Sequence, residues 1–183
     1  MIPFFRRRAA NREVVDRLNA AVVGVVRDPC FYTSGGVPDT FNGRFELLVL
    51  LVGLVVRRLR ALPPPGSDLG QALVDEVFRN LDPAMRELGV GDLAVPKRMK
   101  RLVEAFLGRS VAYDAALAPA APAGALEATL GRNVHGGARD ATDLASYVRE
   151  AAGALERQSN EDLLRGVVLF PKPAAFLSRI APV

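Results

Sequence analysis

Apolar side chains recur along this chain at the spacing of one face of an α-helix. In residues 11–26 they stand three or four positions apart, with polar residues between them. The same spacing returns in residues 69–81, 95–117 and 144–155, and a shorter helix is expected at 126–134. The pattern predicts an all-α fold, a single compact domain of about six to eight helices.

The segment at residues 41–61 differs because it is apolar nearly all round in its middle. Such a helix must be surrounded by other helices, so we expect it at the centre of the domain. Its most hydrophobic run, Leu47 to Val56, is about half of the ~20 residues that a membrane span needs. Gly53 lies in this run, where glycine lowers helix stability by about 1 kcal/mol relative to alanine. We therefore expect it to allow another helix to cross closely at this point.

Proline and glycine set the predicted ends of several helices. The run at 63–66 stops the central helix, and Ser67 or Asp68 is expected to cap the next one. Pro83 follows an aspartate, which favours a new helix start with the proline in its first turn. Gly89 then provides a C-terminal stop.

The helix expected at 95–117 divides into two faces when residues are placed 100° apart. The face predicted to be buried consists of Val95, Met99, Leu102, Phe106, Ser110, Tyr113 and Leu117. The far side carries four cations that must be exposed: Lys97, Arg98, Lys100 and Arg101.

Arg109 lies at the flank of the buried face of the same helix. A guanidinium in that position needs a carboxylate partner or backbone carbonyls. Glu46, Asp75 and Asp92 are the candidate partners, and the choice among them stays open. We therefore expect Arg109 to hold the fold more than a partner.

The charge balance is modest but uneven. The chain has 24 Lys and Arg against 20 Asp and Glu, a formal net charge of +4. Positions 1–110 hold 17 basic and 12 acidic residues, whereas positions 111–183 hold 7 and 8. This asymmetry suggests a basic face for nucleic acid, an anionic membrane or an acidic protein, although ordinary solubility needs a similar excess.

Few residues with catalytic or metal-binding chemistry are present. One cysteine, Cys30, rules out an internal disulfide, and with His135 as the single histidine a His/Cys metal site is close to excluded. The sequence has no P-loop, no dinucleotide-binding glycine motif and no nucleophile elbow. We expect no catalytic residue, no metal and no cofactor. The N-terminal segment has no clean signal-peptide cleavage site, so we expect a cytoplasmic protein.

Three interpretations of the basic residues at 97–101 stay open. They form an ordinary solvated helix face, they contact anionic phospholipid or an acidic partner, or they contact nucleic-acid phosphate. The last is least favoured because no aromatic residues are interleaved for base stacking and no helix-turn-helix pattern occurs. At about 1 kcal/mol per cation, four cations supply up to ~4 kcal/mol at an anionic surface, enough for reversible attachment. The candidate partner-binding residues are Lys97, Arg98, Lys100, Arg101, Arg57 and Arg58.

Residues 89–113, GVGDLAVPKRMKRLVEAFLGRSVAY, resemble the centre of the ubiquinol-cytochrome c chaperone family. GRFELLVLLVGLVVRRLR at 43–60 and GQALVDEVFRNLD at 70–82 fit the same family in the same order, and 126–133 and 144–147 agree more loosely. The motif residues that we take as structural are Gln71, Gly89, Gly91, Asp92, Phe106, Gly108, Arg109 and Tyr113.

The resemblance covers about residues 40–155. We expect residues 36–183 to form a chaperone-like helical domain, with residues 1–35 as an N-terminal helix and loop that belong to it or pack on it. Relatives often carry a histidine in the second helix, where this sequence has Leu51. Any partner contact made by that histidine is missing here.

The resemblance implies an all-helical, non-catalytic chaperone that binds newly made cytochrome b and supports biogenesis of ubiquinol-cytochrome c reductase. Relatives act with a small partner protein near the ribosomal exit, so a co-chaperone and the ribosome are further expected partners. Peripheral contact with anionic lipid would place the protein on the inner face of the cytoplasmic membrane, and no DNA contact is expected. The alternative from another class is a basic helical protein that binds nucleic acid or the ribosome surface.

Overall fold

The computed structural model describes residues 2–137 and 139–177, with only the backbone described for 2–10. Helices make up most of this part, and it contains no strand. The helices are α1 (Ile2–Val26), α2 (Cys30–Thr33), α3 (Phe41–Arg60), α4 (Gly66–Glu87), α5 (Val95–Ala116), α6 (Ala125–Asn133), α7 (Thr142–Arg157) and α8 (Asn160–Leu164), followed by a 3-10 turn (Pro173–Ala175).

Helix α3 is the centre of the domain, as its apolar middle predicts. It packs against α1, α4, α5 and α7, so its side chains are buried on opposite sides, including Leu50, Leu51 and Val55. Thr40 caps its first turn, where the hydroxyl accepts a 3.1 Å hydrogen bond from the Gly43 amide. Because α1 packs on both α3 and α4, the N-terminal helix shares this core.

Three predicted helix boundaries are wrong. Helix α1 begins at Ile2 and not near residue 11. Residues 6–10, three arginines and two alanines, are good helix formers that lengthen the helix without apolar periodicity. Helix α4 begins at Gly66 without a side-chain cap and runs through Pro83 to Glu87 in one piece. An interior proline costs about 3 kcal/mol, but continuing the helix places Met85 fully inside the core.

The predicted close crossing at Gly53 is also wrong. A Cβ at Gly53 would meet no atom within 4 Å, so no neighbour approaches it. The close approaches lie elsewhere. A Cβ at Gly43 would stand 2.0 Å from the carbonyl oxygen of Pro38, and one at Gly70 would touch Val56 and Leu59 at ordinary contact distance.

The surroundings of Gly53 and Gly43, both in α3, predict opposite effects of an alanine substitution. Gly53→Ala should raise the free energy of unfolding by up to about 1 kcal/mol, because helix propensity improves and nothing is displaced. Gly43→Ala should lower it, because a backbone carbonyl must move to admit the methyl group. Urea denaturation of both variants checks the contrast, and a stabilised Gly43→Ala protein would contradict the packing.

Helix α7 buries the face that its periodicity predicts, including Tyr147, whose ring meets Phe31 and Phe176 edge-on. Leu163 of α8 and Val168 beyond it are buried, whereas Val167 and Leu169 are exposed, so the segment after α8 packs on the core only in part. The Phe176 ring fixes the end of the described chain on the core.

His135 joins the α6–α7 connection to the α2–α3 connection. The residue is buried, and its Nε2 lies 3.0 Å from the carbonyl oxygen of Gly35. Burial lowers the pKa of the His135 imidazole below its ordinary value of 6.5, although the Gly35 carbonyl opposes part of this effect. The folded chain therefore favours the neutral ring.

The lowered pKa of His135 makes the stability of the fold depend on pH. The unfolded chain binds the proton at higher pH than the folded chain, so stability is complete above about pH 7 and falls as the pH drops through 6. His135→Gln should lose much of this dependence, because the chain has one histidine. Urea denaturation at pH 7.5 and 5.5 measures it, and equal pH dependence of both proteins would contradict the assignment.

Candidate partner-binding surface

Helix α5 is held on one side by α3, α4 and α6. The Phe106 ring is buried and meets Phe78 of α4 edge-on, with 5.6 Å between ring centroids. The face of α5 that was predicted to be buried packs against these helices, although Met99, Ser110 and Leu117 are only partly buried. The rest of the helix surface faces solvent.

The four predicted cations are exposed on the outer side of the first turns of α5. Arg98 stacks over the ring of Phe41, with 4.9 Å from its guanidinium carbon to the ring centroid. Lys100 stands 3.9 Å from Glu104, a solvent-exposed pair that binds weakly. Within the described ranges, no carboxylate pairs with Lys97 or Arg101. Their positive charge is therefore directed to solvent.

A shallow groove of about 600 Å³ borders these cations. It lies where the start of α3, the α4–α5 loop and the first turns of α5 meet. Its lining is Asn42, Val90, Ala94, Lys97, Arg98, Arg101 and Leu102. The groove thus combines an apolar floor with a basic rim.

The α4–α5 loop that forms one wall of this groove begins with a glycine turn. Gly89 has φ +80°, a conformation that glycine adopts without strain, and its amide donates a 2.9 Å hydrogen bond to the Arg86 carbonyl. Asp92 pairs with the Arg86 side chain across the loop. A Cβ at Gly91 would meet nothing within 4 Å. Gly89 and Asp92 therefore have clear structural roles, and Gly91 has no packing role.

Arg109 forms an ion pair with Glu46 of α3, one of its three candidate partners. Both side chains are largely buried between the two helices. The hydrogen bond to Glu46 raises the pKa of the Arg109 guanidinium. Tyr113 lies one turn further along, where burial raises the pKa of its phenol. This cluster fastens α5 to the central helix.

Arg57 and Arg58 differ from the four exposed cations of α5 because their guanidinium groups are engaged within the fold, and their role in partner binding stays a prediction. Arg57 donates to the Asp114 carbonyl of α5 at 3.3 Å. Arg58 donates to the Leu155 carbonyl at 2.9 Å and to the Asn160 side chain at 2.6 Å. Their charged groups fasten α3 to neighbouring helices, so few donors remain for a partner.

Gln71 contributes less to the fold than the motif suggests. It is exposed on α4, and its side-chain amide donates a 2.9 Å hydrogen bond to Asp75 one turn away. Gly108 is also exposed, and a Cβ there would meet nothing within 4 Å. Neither residue makes a close packing contact with the described part of the chain.

An apolar stripe on the outer face of α5 was not predicted from the sequence. Val103, Leu107 and Val111 stand four residues apart and are 36%, 59% and 71% exposed. Gly108 leaves the backbone beside Leu107 open to approach. The signal was present in the sequence as valine and leucine outside the predicted buried arc. The outer face of α5 is thus basic at its start and apolar towards its end.

No group of three or more His, Cys, Asp or Glu residues in the described ranges is placed to hold a metal ion. None of the helices described has the length and hydrophobicity required to span a bilayer.

Together, the fold and this surface define an all-helical protein with an exposed basic and apolar helix face. A sequence model of the ubiquinol-cytochrome C chaperone family matches residues 33–170, and the chain therefore belongs to this family. The match extends beyond both ends of the stretch, about 40–155, that the motifs indicated.

A solved relative has the same fold over almost its full length. The crystal structure of the Cbp3 homolog from Brucella abortus shares 39% identity with this chain, with a TM-score of 0.83. The alignment covers 94% of this chain and 98% of that one. A search of curated proteins finds no match. The all-α prediction and the family resemblance are confirmed, and the family supports an assembly-chaperone role.

Proposed function

We propose that this protein is a non-catalytic assembly chaperone that binds newly made cytochrome b during biogenesis of ubiquinol-cytochrome c reductase. Membership of the ubiquinol-cytochrome C chaperone family supports the reductase as the assembly concerned. The more specific proposal, that cytochrome b is the client, rests on the motif resemblance at residues 43–60, 70–82 and 89–113.

The observation that carries the proposal is the apolar stripe of α5. A membrane-protein client exposes apolar segments before it is assembled, and such segments bind best to apolar surface that is already free of neighbours. Val103, Leu107 and Val111 present that surface along one side of a helix held rigidly by α3 and α4. An apolar client helix lying along α5 would bury these three side chains.

The surroundings of the stripe suit reversible binding. Lys100 and Glu104 flank it with opposite charges, and the buried Arg109 pair keeps α5 in place while its outer side is occupied. The exposed area is small, so we expect a weak complex that releases its client. A small co-chaperone or the ribosome would then add contacts elsewhere on the protein.

The proposed place of action is the cytoplasm, beside the inner face of the cytoplasmic membrane. There the protein meets cytochrome b as it leaves the ribosome. The test is deletion of the gene, followed by measurement of assembled reductase and of cytochrome b. Both should fall while an unrelated respiratory complex stays at its normal level, and the intact gene should restore them. Normal reductase in the deletion strain would refute the proposal.

A further inference from the structure

The α4–α5 loop and the start of α5 carry a second exposed surface, separate from the apolar stripe. Two leucines of the loop point into solvent, with Leu88 64% and Leu93 99% exposed. Single exposed leucines are ordinary on protein surfaces. Two in one short loop, directly before a block of cations, form an amphipathic patch.

The cations beside these leucines are not neutralised within the described chain. Lys97 and Arg101 lack a carboxylate partner there, and Lys100 has only the long contact to Glu104. The acid of the loop, Asp92, is already paired with Arg86. Glu87, exposed at the end of α4, and Glu104 offset two of the three positive charges of Lys97, Lys100 and Arg101. The patch therefore presents net positive charge together with free aliphatic side chains.

Charge complementarity decides which partner fits this patch. Cytoplasmic loops of membrane proteins carry an excess of Lys and Arg, so a client loop would be repelled. Single-stranded nucleic acid needs aromatic stacking platforms, and the nearby Phe41 ring is covered by Arg98. An anionic bilayer suits both the cations and the leucines of the patch, because its headgroups attract the cations and its interface accepts leucine side chains.

We propose that Leu88, Leu93, Lys97, Lys100 and Arg101 form a docking surface for an anionic membrane leaflet. The leucines enter the interface and the three cations contact lipid headgroups. Helix α5 rises 1.5 Å per residue, so its apolar stripe extends to about 20 Å beyond Lys97. Docking thus places the stripe beside segments that leave or enter the bilayer, whatever the client is.

The first test is co-sedimentation of the full chain with vesicles of phosphatidylcholine alone or with one third phosphatidylglycerol. The anionic vesicles should bind, and binding should weaken as salt rises. Combined Lys97→Ala, Lys100→Ala and Arg101→Ala should weaken binding about 100-fold. The matched control removes the same charge at exposed sites elsewhere, with Arg27→Ala, Arg60→Ala and Lys172→Ala, and should change binding far less.

The second test reports insertion of the loop. The chain has no tryptophan, so Leu93→Trp introduces a single probe. Its emission should shift to shorter wavelength on anionic vesicles. Leu169→Trp, at another solvent-exposed leucine (65% exposed) that is distant in sequence from Lys97, Lys100 and Arg101, should not shift.

Three results would overturn the docking surface. These are equal binding to neutral and anionic vesicles, equal loss in the two triple variants, or no emission shift at Leu93→Trp. Tight binding to RNA or to an acidic protein without vesicle binding would also refute it. Capture of cytochrome b from detergent extract distinguishes this failure from failure of the proposed function, since that assay contains no bilayer.

Discussion

Phe106→Ala is expected to lower the free energy of unfolding by about 3 to 5 kcal/mol. The Phe106 side chain is 5% exposed and packs edge-on against Phe78, between α5 and α4. Truncation removes its apolar burial and leaves a cavity, which α5 is not free to close because the Arg109–Glu46 pair fastens it to α3. Urea denaturation monitored by circular dichroism gives the difference directly.

The matched control for this variant is Lys97→Ala on the opposite face of the same helix. An exposed residue without a carboxylate partner should change stability by no more than about 0.5 kcal/mol. Similar losses in the two variants would mean that the faces of α5 are assigned wrongly. A small loss in both would mean that α5 contributes little to the core.

Combined Leu107→Asp and Val111→Asp should reduce client binding by at least about tenfold while leaving stability nearly unchanged. Both side chains are mostly exposed, so the folded protein gives up little apolar burial. In the complex, each aspartate would be buried against an apolar segment without a partner, which costs several kcal/mol per charge. Assembled reductase in cells carrying the variant is the functional measurement.

The control for this pair is Leu169→Asp, which places a charge at another exposed leucine. Leu169 is 65% exposed, close to the exposure of Leu107. The control protein should support normal reductase levels. Loss of reductase in both variants would point to a general effect on solubility or stability, and normal levels in the α5 variant would remove the stripe from the client site.

Much of the fold follows from local pattern. The period of apolar residues located α3, α5 and α7, because a helix that is packed on one side must repeat its apolar positions every three or four residues. It also separated Phe106 from the cations at the start of α5. Local rules were weaker at helix ends, where Pro83 favoured a break but the burial of Met85 favoured continuation.

The surface was harder to derive, since exposure depends on which neighbours cover a helix. Val103, Leu107 and Val111 are as apolar as core residues, and only the placement of α4 and α6 leaves them uncovered. For the same reason, the sequence does not show which cations are free. Arg58 looks like a free cation in the sequence, but α7 and α8 approach it from nearly 100 residues away and occupy its donors.

These placements change the partner-binding hypothesis in a specific way. Of the six basic residues proposed from the sequence, Arg57 and Arg58 hold α3 to its neighbours. The four at the start of α5 stay exposed, and they follow the exposed leucines of the α4–α5 loop in the sequence. The proposed client contact is the apolar stripe, and the proposed lipid contact is made by Lys97, Lys100 and Arg101.

The most direct measurement is site-specific photo-crosslinking from position 107 during synthesis of cytochrome b. A photoreactive residue there should form an adduct with newly made cytochrome b, and the adduct should decline as reductase assembles. The same residue at position 169 should form none. An adduct from neither position, or equal adducts from both, would contradict a client site on the outer face of α5.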